Sequence, residues 1–219
     1  MPNWCYNQTY AYGKIENIKA FIDPVVEGLE ADNYRGFLHH YYPCPQELLD
    51  AQSTFLDVNN PVPENWINFV NDGTWTQEYY DERAASAIAE SKVQKKNLEK
   101  YGYTDWYHWC IDNWGSKWGD CHLEIEDIQP HYEDGYGFVQ LRYDTAWGPI
   151  NEGLTELSKL FPKLLFDNFY REEGMGFQGH FQVINGDVKN DVSTELIPTA
   201  YDYEYQIEFA DEQVLEQVK

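Results

Sequence analysis

The stretch NWCYNQTYAYG, residues 3–13, alternates large side chains with small ones. Every second position from Trp4 to Tyr12 carries Trp, Tyr or Gln, and Gly13 closes the run. A period of two places the larger side chains on one face of a β-strand. This stretch therefore predicts the first strand of a sheet.

After Gly13 the spacing of apolar residues changes to that of a helix. Ile15, Ile18 and Phe21 recur at steps of three, which is the spacing of one helical face. Pro24 lacks a backbone N–H, so we expect the helix to be interrupted there, with a second short run after it. The pattern gives a strand followed by a helix.

Residues 31–112 contain four prolines, several helical patterns and no convincing pair of strands, and we interpret them as an inserted helical segment. A helix is predicted over residues 81–101, with basic residues outside its apolar stripe. A second helix is predicted over residues 104–114, with Thr104 as N-cap and a stop at Gly115. The predicted stripe of the first helix consists of Ala84, Ala87, Ile88, Ser91, Leu98 and Tyr101.

After residue 120 a period of two returns on both sides of the turn-like sequence Glu133-Asp134-Gly135, which predicts a β-hairpin. Leu154, Leu157, Leu160 and Phe161 then predict a helix that ends before a proline. Two further strands are predicted over residues 164–170 and 177–184, the second ending at Asn185-Gly186. The predicted order is β-α-(insertion)-β-β-α-β-β.

This order is that of the ferredoxin-like split β-α-β pattern with one extra strand. We therefore predict an α+β fold: an antiparallel sheet, helices on one face, and a helical insertion between the first helix and the central hairpin. The predicted domain covers residues 1–194, with the insertion at about 31–112. Residues 195–219, with seven Asp or Glu against one Lys, form a predicted acidic C-terminal extension.

The balance of charge restricts the partners of the chain. It carries 38 Asp and Glu against 15 Lys and Arg, a formal charge of -23, yet its eight Trp, eighteen Tyr and eleven Phe indicate a folded protein. Such a body repels nucleic acid and anionic membranes and attracts basic surfaces. No basic leader or long apolar run is apparent, so we expect a cytoplasmic protein.

Several blocks of sequence together carry a resemblance to a known family. In these blocks and in their order, the chain resembles the YubB-type ferredoxin-like domain family of phage and plasmid proteins (DUF1281-like). The resemblance implies a ferredoxin-like fold and a mobile-element origin, and it supplies no catalytic residues because the function of the family is obscure. Ile150 stands where such proteins usually have a second proline, and the acidic extension is expected to be particular to this chain. The blocks are MPNWCYN (residues 1–7), YYPCPQELLD (41–50), YGYTDWYHWCIDNWGSKW (101–118), DTAWGP (144–149) and GMGFQGHF (174–181).

The candidate ligand site is the aromatic motif at residues 114–118, together with Asp144 and Trp147. Its indole rings are suited to stacking and its Lys to binding an anion. The alternative is that the Trp rings belong to the core, which is the commoner use of large aromatics. The candidate residues are Trp114, Lys117, Trp118, Asp144 and Trp147.

No pattern in the chain predicts catalysis, a metal site or a cofactor. The Cys and His residues around Cys110 and Cys121 do not have the spacing of a zinc site, and reduced thiols are expected. The glycines between Gly174 and Gly179 precede a strand instead of a helix, so a turn is favoured over a phosphate loop. We therefore favour a protein that is not an enzyme.

The leading hypothesis is an accessory protein of a mobile element that binds a basic host protein, such as a nucleic-acid-binding defence factor, by mimicry of nucleic acid. An equally open reading is that the acids only maintain solubility. A small-molecule or nucleotide site at the aromatic motif is the alternative of a different class, and the oligomeric state is left open. The candidate partner-binding acids are Glu124, Asp127, Glu133, Asp134, Asp202, Glu204, Glu208, Asp211 and Glu212.

Overall fold

A computed structural model of the chain describes residues 2–29, 36–54, 56–130 and 135–196. The chain divides into two compact units, one made of Met1–Pro43 with Cys110–Lys219 and the other of Cys44–Trp109. The second unit lies within the segment predicted as an insertion. In chain order the elements are β1 (Trp4–Lys14), α1 (Ile15–Leu29), α2 (Phe37–Tyr41), α3 (Gln46–Asp50), α4 (Trp66–Asn71), α5 (Gln77–Tyr101), α6 (Trp106–Trp114), β2 (Cys121–Ile125), β3 (Gln129–Pro130), β4 (Tyr136–Ala146), α7 (Asn151–Leu160), β5 (Leu165–Glu172), β6 (Phe177–Ile184) and β7 (Asp187–Glu195).

The first unit is built on one seven-stranded sheet with the order β2-β4-β1-β5-β6-β7, and β3 also pairs with β4. Every pairing is antiparallel. The first strand is thus central, with β4 on one side and β5 on the other. This arrangement confirms the predicted α+β class and the ferredoxin-like fold.

Helices cover one face of the sheet. Phe166 on β5 meets Phe21 of α1 with ring centroids 5.4 Å apart, and Tyr143 on β4 meets Phe37 of α2 at 5.3 Å. The side chains at odd positions of β1 point to this covered face and are buried from Cys5 onward. Burial of the aromatic rings that meet between helices and strands supplies most of the free energy that holds helix to sheet.

A chain of polar side chains crosses the covered face and is buried with it. Thr9 donates to Asn168 (2.9 Å), Asn168 donates to Asn7 (3.1 Å), and Asn7 donates to Thr145 (2.8 Å). Buried polar groups cost free energy unless they are paired, and these are paired only when β4, β1 and β5 keep their observed register. This network of buried hydrogen bonds therefore stabilises one alignment of the three strands.

Pro24 does not interrupt the first helix, which corrects the sequence prediction. The helix α1 continues from Ile15 to Leu29 with Pro24 inside it. Its buried side chains lie on both sides of the proline and include Ile22 and Val25. Packing of this continuous apolar face offsets the lost hydrogen bond, which costs about 3 kcal/mol in an isolated helix.

Two strands were not predicted. The short strand β3 is only Gln129–Pro130, and β7 follows the predicted turn at Asn185-Gly186. Both turn residues have positive φ, 51° and 77°, as a two-residue hairpin turn requires. Almost all of β7 is exposed, so its sequence lacks the alternation of apolar residues by which strands are recognised.

In the second unit, the inner face of α5 is polar, contrary to the predicted apolar stripe. The helix begins at Gln77 instead of residue 81, with the Thr76 hydroxyl accepting from the Tyr79 N–H. Of the predicted stripe, Ala87 and Ser91 are buried, whereas Ile88 and Leu98 are exposed. Three of its four buried side chains donate to carbonyls of irregular chain: Ser91 to Val58, Gln94 to Gln52, and Asn97 to Thr104.

These contacts have a physical reason. Carbonyl groups of an irregular segment have no strand or helix partner, and they lose free energy when buried without a donor. The helix supplies those donors, which accounts for the three polar residues among its four buried ones.

The helix α6 begins at Trp106, and the predicted N-cap, Thr104, does not cap it. The Asp105 carboxylate accepts from the Tyr107 N–H at 2.9 Å, while the Thr104 hydroxyl donates to the same carboxylate. Asp is a somewhat better N-cap than Thr, so the ranking of N-cap residues favours the observed position over the predicted one. Within the described residues, no helix is both long and apolar enough to cross a membrane.

Candidate functional site

Trp114, the first of the predicted ligand residues, belongs to the core of the first unit. Only 1% of its surface is exposed. Its indole N–H donates to the Tyr42 carbonyl at 2.9 Å, and the ring of His39 lies against it with centroids 4.6 Å apart. Gly115, with φ of 82°, ends the helix immediately after it. The ring is therefore not available to a ligand from solvent.

Side-chain contacts connect three of the predicted ligand residues, Lys117, Trp118 and Asp144. The contacts run through Trp4 and His122, which were not predicted. The Lys117 ammonium lies 4.3 Å from the Trp118 ring centre, and Trp118 lies 6.0 Å from Trp4. Trp4 meets the ring of His122 at 5.2 Å, and His122 Nδ1 lies 2.8 Å from Asp144 Oδ2. Trp4 and His122 enter because β1 and β2 both neighbour β4 in the sheet.

Trp147 is placed apart from this chain of contacts. Its side chain is 48% exposed, and its backbone N–H donates to the Asn3 carbonyl at 3.0 Å. Its φ is 73°, and that of His122 is 53°. Left-handed backbone at a residue other than glycine costs about 1–2 kcal/mol, and such positions cluster at functional sites. Trp147 directly follows β4, the strand of Asp144, and His122 lies on β2, which pairs with β4.

The open face of the sheet forms a depression that includes Asp144. Its volume is about 360 Å³, and its charged lining consists of Arg142, Asp144, Arg171 and Glu173. The exposed ring of Tyr6 lies among them on the central strand, directly opposite Asp144 on one side and Arg171 on the other. Sequence reasoning missed the two arginines because only the strand order β4-β1-β5 brings them to the same place.

Asp120 is a second residue that sequence reasoning missed. It is buried, and its two carboxylate oxygens accept from the N–H groups of Phe37 (2.6 Å) and Leu38 (3.0 Å) at the start of α2. Burial raises the pKa of this carboxyl to about 7, although the two N–H groups oppose the shift. Gly36 lies so close that a Cβ there would be 2.4 Å from the carboxylate.

Two of the candidate partner-binding acids lie at the edge of the sheet. Glu124 on β2 and Asp127 after it are exposed, and no Lys or Arg of the described chain pairs with them. Glu126 between them lies 2.9 Å from Arg142. The remaining candidates, Glu133, Asp134, Asp202, Glu204, Glu208, Asp211 and Glu212, lie outside the described residues.

The glycine-rich segment after β5 is a turn whose amides are already occupied. The buried carboxylate of Glu172 accepts from the N–H groups of Gly174 (2.9 Å) and Met175. Gly176 continues the turn with φ of 75°. A phosphate would have to displace this carboxylate, so the sequence preference for a turn agrees with the geometry.

Replacing Glu172 with alanine is expected to lower the free energy of unfolding by about 2–4 kcal/mol, because two N–H groups lose a buried acceptor. Replacing the adjacent Glu173, whose side chain is 58% exposed, should cost less than about 1 kcal/mol. Urea unfolding of the two variants at one pH measures the difference. Equal costs would contradict the assigned role of Glu172.

A further buried acid lies on the open face of the sheet. Asp167 is fully buried, its Oδ1 lies 2.5 Å from His180 Nε2, and its Oδ2 has no hydrogen-bond partner. Asn190 lies 2.7 Å from the other ring nitrogen of His180, and Phe169 stacks on the ring with centroids 4.2 Å apart. With both nitrogens engaged, His180 links three strands and has no position left for a substrate.

Two further kinds of site would use a metal ion or a cysteine thiol. The described residues contain no cluster of three or more His, Cys, Asp or Glu that could hold a metal ion. Cys5, Cys44, Cys110 and Cys121 all lie in the described part of the chain and form no disulfide there. Burial raises the pKa of Cys5 to about 12 and that of Cys121 to about 11, so neither is a ready nucleophile.

Comparison with known proteins gives a family for part of the chain. Residues 113–213 match the family described as "Ferredoxin-like domain in Api92-like protein". The match includes residues up to 213 of the segment predicted as an acidic extension particular to this chain. Among solved structures, a protein api92 from Yersinia pseudotuberculosis is similar over 91% of this chain and 100% of its own, with 12% identity and a TM-score of 0.46. None of the curated proteins compared with the chain matches it.

Proposed function

We propose that the chain is a non-enzymatic acidic protein that binds a basic partner. The proposal starts from the premise that residues 113–213 belong to the family of ferredoxin-like domains found in Api92-like proteins. The family description names a fold and no activity. The partner we propose is a nucleic-acid-binding host protein in the cytoplasm, such as a defence factor, whose basic groove the acids occupy. Such binding would inhibit the partner by mimicry of nucleic acid.

The observation that carries this proposal is the unpaired acidic edge of the sheet. Glu124 and Asp127 are exposed side by side with Glu126, and the described Lys and Arg residues leave the first two without an ion pair. Glu124 lies on β2 and the other two acids follow within three residues, so the three carboxylates are closely spaced along the chain, as phosphates are along a nucleic-acid backbone. Opposite charge across an interface raises the association rate and makes it sensitive to salt.

The charge of the whole chain supports the same partner. A formal charge of -23 gives a long-range field that attracts a basic protein and repels nucleic acid. Solubility alone would require far less charge, about 2–8 for a small domain. The excess is therefore consistent with an electrostatic role in binding.

Neutralising the acidic edge is expected to slow association with the partner by about tenfold at low salt. The variant is Glu124→Gln with Asp127→Asn, and its matched control is Glu64→Gln with Glu78→Gln in the other unit. Partner protein is first captured from nuclease-treated host lysate at low salt and identified. Association rates of the purified partner with each variant are then measured at increasing salt, with and without DNA or RNA as competitor.

A second variant examines the remaining candidate acids as a set. It replaces Asp202, Glu204, Glu208, Asp211 and Glu212 with their amides in the full chain. The proposal requires that one of the two neutralised sets slows association more than the control does, and that nucleic acid competes. Equal rates for all variants, or no competition, would contradict it and leave solubility as the role of the acids.

A further inference from the structure

We propose that the depression on the open face of the sheet is a binding site for a small zwitterion of dipeptide size, with its ammonium group at Asp144 and its carboxylate at Arg171. This inference goes beyond the binding of a basic partner, because it assigns a different surface and a different chemistry. It is carried by the order of charges across three strands and by the volume of the depression.

The charges lie in one row across the sheet. Asp144 on β4, Tyr6 on β1 and Arg171 on β5 are register partners, so their side chains emerge on the same face. Adjacent strands are about 4.8 Å apart, which places the acid and the base about 10 Å apart at the backbone with an aromatic ring between them. A ligand with complementary charges lies across Tyr6, with its ammonium group at Asp144 and its carboxylate at Arg171.

Neighbouring side chains hold the charged groups of the row. The Asp144 carboxylate lies 2.8 Å from His122 Nδ1, and Arg171 pairs with Glu173. Arg142, one row along, lies 2.9 Å from Glu126. Groups that are fixed before binding lose less entropy when a ligand arrives.

The mixed sign of the lining selects the class of ligand. Two arginines and two acids line the depression, so it is locally neutral in a strongly acidic protein. A polyanion would meet Asp144 and Glu173 and the charge of the whole chain, and a simple cation would meet both guanidinium groups. A zwitterion satisfies both signs at once.

Size and aromatic exposure restrict the ligand further. The depression measures about 360 Å³, which falls within the usual range for small-molecule sites of about 300–1,000 Å³. The two charges of a free amino acid lie too close together to reach both sides of Tyr6, whereas those of a dipeptide are farther apart. The Tyr6 ring, 48% exposed, can stack against an aromatic side chain of the ligand.

The experiment is an NMR titration of the full ¹⁵N-labelled chain with glycyl-L-tyrosine at neutral pH. We expect amide shifts confined to the strands around Tyr6, with a dissociation constant on the order of 1 mM, since the site is open. N-acetylation of the dipeptide removes its ammonium group, and amidation removes its carboxylate. Each derivative should bind about tenfold more weakly than the dipeptide, because one pair of charges is lost.

Two protein variants assign the ends of the ligand. Asp144→Asn should weaken binding of the parent dipeptide and leave binding of the acetylated dipeptide unchanged. Arg171→Gln should weaken binding of the parent dipeptide and leave binding of the amidated dipeptide unchanged. The matched control, Asp187→Asn with Lys189→Gln on β7, removes an exposed ion pair elsewhere and should bind as the wild type does. The NMR spectrum of each variant shows whether it is folded.

The proposal is overturned by any of three results. One is the absence of shifts up to about 20 mM dipeptide, roughly twenty times the expected constant. Another is equal binding of the parent and both derivatives, which would mean that only the tyrosine ring is recognised. The third is a folded Arg171→Gln variant that binds the dipeptide as tightly as the wild type. None of these results bears on the acidic edge, whose test uses a different surface.

Discussion

Replacing Trp114 with alanine is expected to lower the free energy of unfolding by about 3–5 kcal/mol, the usual cost of removing a large buried aromatic. Trp114 is the largest fully buried side chain described, and its N–H is paired with the Tyr42 carbonyl. Alanine would leave a cavity and also leave that carbonyl without its donor. Urea unfolding followed by circular dichroism measures the change, with an unchanged slope showing that the unfolded state is the same.

Trp147 is the matched control for this prediction. Alanine there removes an indole that is 48% exposed and should change stability by about 0.5 kcal/mol or less. Glycine at the same position should increase stability by about 1 kcal/mol, because it relieves the left-handed backbone at φ of 73°. If Trp114→Ala and Trp147→Ala had equal small effects, Trp114 would line a site instead of filling the core.

The stability of the protein is expected to fall between about pH 4 and pH 7 because of Asp120. Its pKa is raised to about 7 in the folded state, mainly by burial, from an ordinary value of 3.8. Between these two values the folded chain keeps a proton that the unfolded chain has lost, so each rise in pH favours unfolding. This shift in the pKa corresponds to roughly 4 kcal/mol of folding stability. That stability is lost progressively as the pH rises across this range and is fully lost above it.

The variant Asp120→Asn isolates this effect from other titrations. An amide is neutral at every pH and occupies the same volume, so the variant should lack that fraction of the pH dependence. We expect it to be close to the wild type at pH 4 and more stable at pH 8. Urea unfolding of both proteins from pH 4 to pH 8 measures the difference. A wild type that stays more stable at pH 8 would show that the N–H groups of Phe37 and Leu38 keep the carboxylate ionised.

The fold was readable from sequence where local patterns and packing agree. The period of two in β1 and the strand Phe177–Ile184 were both predicted correctly, since the odd positions of β1 are buried from Cys5 onward and Phe181 and Val183 are buried on one face of the second strand. The helix α1 was predicted with a break at Pro24, because a local rule on proline does not include the packing of Ile22 and Val25. The strand β7 has few apolar residues and forms because β6 offers it an unpaired edge, which no local pattern records.

The candidate site was only partly readable. Asp144 was identified by its place beside a conspicuous aromatic block, but Tyr6 and Arg171 were not joined to it because their proximity depends on strand order. Trp114 and Trp147 have the same side chain and opposite environments, and aromatic content alone does not separate them. Whether a residue stacks a ligand or fills the core is decided by burial, which is a property of the assembled sheet.

The central place of β1 also determines how the chain must fold. Its hydrogen-bonding partners are Tyr136–Ala146 on one side and Leu165–Glu172 on the other, and the whole second unit, Cys44–Trp109, lies in sequence between β1 and both of these strands. Contacts of such long sequence separation form slowly, because a large loop must close before any pairing stabilises the chain. Until then both edges of an aromatic strand are open to pairing with other chains. During synthesis β1 emerges before both of its partner strands have been made. Repulsion between the negative charges of unfinished copies disfavours their association.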